Sequence, residues 1–157
     1  MSKIFLSSLF LVFALAACDT TSRQDEFAEE ASGVPAGIAR TTEGGEIISD
    51  DKDDWRTAPV FGGKISLRPA YPNPVPVEGF MTVPLTITAF REVQAPLTVK
   101  VPRDGLLFTL DVINQAAEPG AYIFQFAAAH IGTRGLRRLF IFDGTGELVS
   151  YGDVQVE

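Results

Sequence analysis

The sequence predicts an all-β fold: an antiparallel sandwich of seven or eight short strands over residues 55–157. Three observations predict it. Apolar and polar residues alternate with a period of two along most of this stretch, as strands with one buried face require. Turn-forming residues recur every eight to twelve positions, the spacing of sandwich strands. Helix-favouring runs are scarce, while a hydrophobic content of 46% and twelve phenylalanines are enough to fill a core. Period alone leaves closure into a barrel as the alternative.

Taken in order, Ile65 and Leu67 alternate with Lys64, Ser66 and Arg68. Met81, Val83, Leu85, Ile87 and Ala89 alternate with Thr82, Pro84, Thr86 and Thr88. Pro84 has no ladder donor, which predicts that this strand lies at an edge or is broken there. Leu97, Val99 and Val101 make a third strand, and Phe108, Leu110 and Val112 a fourth. Between them Pro102-Arg103-Asp104-Gly105 supplies the glycine that a tight reversal needs. Tyr122, Phe124 and Phe126 share one face of the next. Leu139 to Phe142 and Leu148 to Tyr151 form a hairpin across Asp143-Gly144-Thr145-Gly146, and Val154 to Val156 is a last short strand.

Two stretches narrow the architecture. In immunoglobulin-like sandwiches a tyrosine near the start of a strand bonds back to upstream backbone. Tyr122, after Glu118-Pro119-Gly120-Ala121, fits that role; an ordinary core tyrosine is the alternative. The run Arg68-Pro69-Ala70-Tyr71-Pro72-Asn73-Pro74-Val75-Pro76 forces an extended, donor-poor backbone, a stiff lead-in to the sandwich. Tyr71-Pro72-Asn73-Pro74 together with Gly120-Ala121-Tyr122 resembles the small immunoglobulin-like modules near the C-termini of Bacteroidetes-type secreted proteins, and also the flagellar hook-capping domain. The resemblance covers about residues 70–128. It implies a sandwich used for sorting, attachment or spacing, without catalysis. Such modules end soon after the Gly-x-Tyr strand, often with a basic tail. This chain continues through Leu136 to Glu157 and ends acidic, so the fold implication is kept and the sorting role is not.

The N-terminus reads differently. Lys3 opens it, residues 4–14 are apolar apart from Ser7 and Ser8, and Leu15-Ala16-Ala17-Cys18 closes it with small residues before the only cysteine. Basic end, apolar middle and small-residue close are the order of a secretory signal, too short to span a bilayer. Leu15-Ala16-Ala17-Cys18 also resembles the lipobox of bacterial lipoproteins. That resemblance implies acylation of Cys18, removal of residues 1–17 and residence in the cell envelope as an outer-membrane lipoprotein, on the periplasmic face or the cell surface. Gln24-Asp25-Glu26 resembles the acidic export signals of some surface lipoproteins, although those lie closer to the cysteine. With no second cysteine, the rest of the chain has neither a disulfide nor a thiolate metal site.

Charge is uneven along the chain. Residues 19–54 hold eleven acidic and three basic side chains, whereas residues 55–157 hold nine of each. Low hydrophobicity with high net charge predicts disorder, so residues 18–54 read as a lipidated cysteine followed by an acidic tether. As a coil of 36 residues it would span roughly 30–36 Å. Asp50-Asp51-Lys52-Asp53-Asp54 lacks the alternating ligands and turn glycine of a calcium loop and reads as a solvated charge run.

Candidate chemistry is sparse. The single histidine, His130, lies among small residues, and no metal site is expected from one histidine and a lipidated cysteine. Asp143 and Glu147 flank a turn at a spacing open to a glycosidase pair, though the turn alone explains Asp143. Arg134, Arg137 and Arg138 form a basic cluster, read as an edge that discourages strand addition. Trp55 and Tyr71 read as core cover. The sequence therefore predicts no catalytic residues, no cofactor and lipidation at Cys18 as the one site. The expected function is a membrane-anchored, non-enzymatic lipoprotein with an immunoglobulin-like domain for protein contacts or structural roles. A lipid-anchored carbohydrate-binding module is the alternative. Expected partners are the membrane through the anchor and an envelope protein or polysaccharide, but not nucleic acid.

Overall fold

A computed structural model describes residues 20–116 and 118–157. Seven of its strands form two antiparallel sheets. β3 (Ile65–Leu67), β4 (Phe80–Ile87) and β7 (Gly120–Ala127) make a three-stranded sheet in the order β3-β4-β7. β5 (Leu97–Arg103), β6 (Leu106–Ile113), β8 (Gly135–Phe142) and β9 (Leu148–Val156) make a four-stranded sheet in the order β6-β5-β8-β9. Met81, Val83, Leu85, Phe124 and Phe126 of the first sheet and Leu97, Val99, Val101, Leu139 and Ile141 of the second belong to one buried apolar cluster. The all-β, antiparallel sandwich is thus the observed fold. The sandwich has seven strands, within the seven or eight expected over residues 55–157, and β1 (Arg40–Thr41) and β2 (Ile47–Ser49) add a small hairpin ahead of it.

β4 is central in its sheet and runs unbroken through Pro84, contrary to the edge or break expected of it. Pro84 accepts a hydrogen bond from the Arg68 N–H, so the backbone groups of residue 84 face the β3 side. There β3 has already ended at Leu67, and the missing donor leaves the β4–β7 ladder intact. The Asp104-Gly105 reversal joins β5 to β6 with both residues at positive φ, 51° and 78°, the conformation for which this dipeptide is suited. The two short segments expected near the C-terminus are one nine-residue strand, β9.

The proline-rich run carries the chain between sheets. Tyr71 bridges Thr82 of β4, and four residues later Val75 lies parallel to Val156 of β9. Tyr122 Oη donates to Glu118 O at 2.8 Å and sits 3.3 Å from Gln115 O, the back-bonding expected of a tyrosine corner. It opens the fifth strand of the sandwich, one strand earlier than in antibody domains.

The disordered tether is corrected. Residues 20–32 are helical (α1); α1 and the chain just after it contact β8 and β9, while Ala39 and Thr41 bond to Ala70 and Asn73 of the proline-rich run. Gln24, Phe27 and Ala31 fall at i, i+3 and i+7, one helical face, and all three are buried. Phe27 is 5% exposed, with its ring 5.1 Å from that of Tyr151 on β9. Arg138 of β8 donates through Nη1 to the carbonyls of Glu30, Ala31 and Gly33 at the C-terminal end of the helix, where carbonyls lack the full set of intrahelical partners. Average hydropathy missed this because one phenylalanine and two alanines carry the apolar contact. The boundary at Trp55 accordingly marks no break in packing: Phe27, Ala31 and Ala39 belong to the same core cluster as the sandwich.

Candidate functional site

The most heavily charged interior of the molecule lies where residues 30–54 cross β8 and β9. Arg138 and Asp153 face each other in register, with Nε–Oδ1 at 2.7 Å and Nη2–Oδ2 at 2.8 Å. Asp153 is 2% exposed and also accepts from the Ala36 N–H at 3.1 Å. This bidentate, buried pair holds the Arg138 guanidinium more firmly protonated than a free one. Breaking such a pair strands a charge, so it fixes the register of the segment above it.

Asp54 is the second carboxylate. Its Oδ1 accepts from the Asp153 N–H at 2.8 Å and its Oδ2 from the Ala39 N–H at 3.1 Å. Burial pushes its pKa up from 3.8 to about 7, and the Asp153 and Asp51 carboxylates add to the rise; the two N–H donors oppose it and lose. Asn73, fully buried, ties the same region together: Nδ2 donates to Ala39 O at 3.0 Å and Asp153 O at 3.1 Å, and Oδ1 accepts from Gln155 N at 3.0 Å. Glu30 pairs with Arg56, whose Nη2 reaches Tyr151 Oη at 3.0 Å. A cleft of about 390 Å³ opens beside these groups, lined by Glu30, Gly37, Asp51, Asp53, Asp54 and Asp153 among others. Of the carboxylates lining it, Asp54 is the one whose pKa burial raises toward neutrality. Among the described residues no group of three or more His, Cys, Asp or Glu is arranged to hold a metal ion.

The sequence-predicted positions are scattered. Cys18, the expected lipidation site, lies outside the described residues. His130 sits exposed on the short helix α2 (Ala128–Ile131). Asp143 accepts through Oδ1 from Thr145 N, Thr145 Oγ1 and Glu147 N, which makes it a turn residue. Glu147 takes a bond from Gln24 Nε2 at 2.8 Å. The expected arginine cluster is parted: Arg138 is held by Asp153 and the end of α1, Arg137 bonds to Thr133, and Arg134 is exposed. The acidic run is solvated only in part, since Asp54 points inward. Trp55 is buried, its ring against Gly152 of β9, where any Cβ would overlap it. Sequence reasoning missed Phe27, Asp54, Asn73 and Asp153, whose partners lie 15 to 124 residues away.

No family model and no curated protein matches this chain. Among solved structures it is similar to Pseudomonas fluorescens alkylpurine DNA glycosylase AlkC bound to DNA containing an abasic site analog, at 11% identity and a TM-score of 0.39. The match covers 66% of this chain and 34% of that one, so this chain spans about a third of its neighbour's length. Two expectations are corrected on this finding. The neighbour is an enzyme and it is bound to DNA, so the exclusions of catalysis and of nucleic acid do not stand. A likeness at this score assigns neither glycosylase activity nor DNA binding here. No helix among the described residues is long and apolar enough to cross a membrane.

Proposed function

We propose that this chain is a lipoprotein of the cell envelope, acylated at Cys18, whose β-sandwich serves as an interaction module. The observation that carries the reading is Leu15-Ala16-Ala17-Cys18, closing an apolar run and holding the chain's only cysteine. The fold adds a consequence. α1 is already helical at residue 20 and packs through Gln24 onto Glu147, Leu148 and Val60. Two residues from Cys18 to Thr20 reach at most about 7 Å. An acyl chain there would hold the end of the sandwich carrying the β8–β9 turn close to the bilayer, with two or more chains needed for stable residence.

Replacement of Cys18 by Ser is expected to release the protein from membranes, and mass spectrometry of the wild type to find the mature N-terminus at an acylated Cys18. A serine variant that still sediments with membranes after a high-salt wash would falsify the reading. The carbohydrate-binding alternative calls for an aromatic strip on one sheet face. Among the described residues the exposed aromatics Phe80, Phe90 and Phe108 come instead from β4, a loop and β6 and do not share a sheet face.

A further inference from the structure

A second cleft, of about 660 Å³, lies at the end of the sandwich remote from the β8–β9 turn, and two arginines line it. Arg103 closes β5, and Arg137 lies near the start of β8. Each is positioned by neutral acceptors. Arg103 Nη2 donates to the carbonyl of His130, and its guanidinium carbon lies 5.0 Å from the centre of the Phe108 ring. Arg137 Nη2 donates to Thr133 Oγ1 at 2.9 Å and Thr133 O at 3.3 Å. Neither forms an ion pair with a described carboxylate, in contrast to Arg56 and Arg138. Asp104 is the one carboxylate in the lining, and Val77, Pro102 and Ile131 supply an apolar wall. Exposed Phe80, Leu106 and Leu107 belong to strand ends at the same end of the molecule.

Two oriented guanidiniums with unused N–H groups, beside an apolar wall, match an oxyanion carried on an apolar body. We propose that this cleft binds a small organic anion, its carboxylate or phosphate held between Arg103 and Arg137 and its apolar part on Val77 and Ile131. The chain as a whole carries a net charge of −7, which opposes a long polyanion and selects a small one. The site deepens the interaction-module reading: an eight-residue strand spans about 25 Å, so a chain anchored at the β8–β9 end would present this cleft away from the bilayer.

The test is titration of the purified protein with benzoate, phenyl phosphate, inorganic phosphate and benzyl alcohol, followed by the amide resonances of Gly132 and Thr133. Saturable shifts are expected with benzoate and phenyl phosphate, and the stronger of the two identifies the anionic group. Benzyl alcohol is expected to give none. Arg137→Gln and Arg103→Gln should each weaken binding about tenfold or more, the scale of one charge-assisted bond lost. Arg91→Gln, in the loop at the opposite end, should leave it unchanged. Near-UV circular dichroism establishes that each variant is folded. Absence of saturable shifts, or affinity unchanged in folded Arg137→Gln, overturns the site. Inorganic phosphate binding as tightly as phenyl phosphate overturns the role of the apolar wall. None of these readouts depends on acylation, so loss of the membrane reading leaves them intact, and the reverse holds.

Discussion

Asp54→Asn separates the cost of a buried charge from the value of the bonds it makes. In the folded chain Asp54 keeps its proton up to about pH 7, against 3.8 for the free group. Because the folded state binds the extra proton, the stability linked to Asp54 is fully present below pH 3.8 and is lost as the pH rises through 7. A shift of about three pKa units corresponds to about 4 kcal/mol as an upper bound. The carboxyl is only partly shielded from water, and screening reduces this to about 2 kcal/mol. Asparagine stays neutral throughout, but its amide presents one acceptor to two donors, Ala39 N–H and Asp153 N–H. The unmet donor costs about 1–2 kcal/mol at every pH.

The two variants should therefore differ in slope. At pH 5, where more than a third of the Asp54-linked stability is already lost, the wild type is expected to be the more stable by about 0.5–1 kcal/mol. By pH 8.5 it carries the buried anion, and the gap should close or reverse. Urea denaturation of both proteins at several pH values from 5 to 8.5 measures this. The difference between the profiles cancels the groups common to both, including Asp51, Asp53, Glu30, Asp153 and Arg138. Parallel profiles would refute the argument, because they would mean that Asp54 titrates alike in the folded and unfolded chains.

Two further substitutions probe the attachment of the N-terminal segment and the interior of the sandwich. Phe27→Ala removes the one large apolar side chain that α1 buries and should cost about 3–5 kcal/mol. Amide exchange should accelerate across residues 20–32 while β4, β5 and β8 stay protected; uniform acceleration would mean that the helix and sandwich unfold as one unit. Gly152→Ala forces a methyl group into the Trp55 indole and should cost about 1–3 kcal/mol. It should lower Tm and shift the fluorescence of the only tryptophan to the red; an unchanged spectrum would place the indole elsewhere.

The sandwich was legible because its signal is local. Alternation at Met81 to Ile87 or Leu97 to Val101 reports a half-buried strand whichever strand it pairs with. Asp104-Gly105 and Asp143 to Gly146 announce reversals by their own backbone preferences. Pro84 shows the limit of that reasoning, since the cost of its missing N–H depends on where β3 stops. The N-terminal segment failed for a similar reason. Its composition resembles a disordered chain, but Phe27 finds Tyr151, and the last turn of α1 finds Arg138, only after β8 and β9 have paired. Charged residues look solvated in sequence. At Asp54 and Asp153 the solvent is replaced by backbone donors contributed from far along the chain, and no local pattern encodes that exchange.

The acidity of residues 19–54 takes on a different physical meaning once the segment is packed. On a free coil, eleven carboxylates would repel one another and extend the chain. Folded onto the β8–β9 face, part of that charge is used: Glu30 meets Arg56, and Asp54 shares its surroundings with Asp153 and Arg138. The segment acts as a cover for a sheet face that would otherwise expose Tyr151 to water. It also brings the first described residue to the β8–β9 turn, opposite the cleft between Arg103 and Arg137. A coil of 36 residues would let the sandwich tumble at any angle to an anchored Cys18. A packed segment fixes which end leads, so weakening it through Phe27 or Asp54 should loosen the orientation of the remote cleft without altering a single residue that lines it.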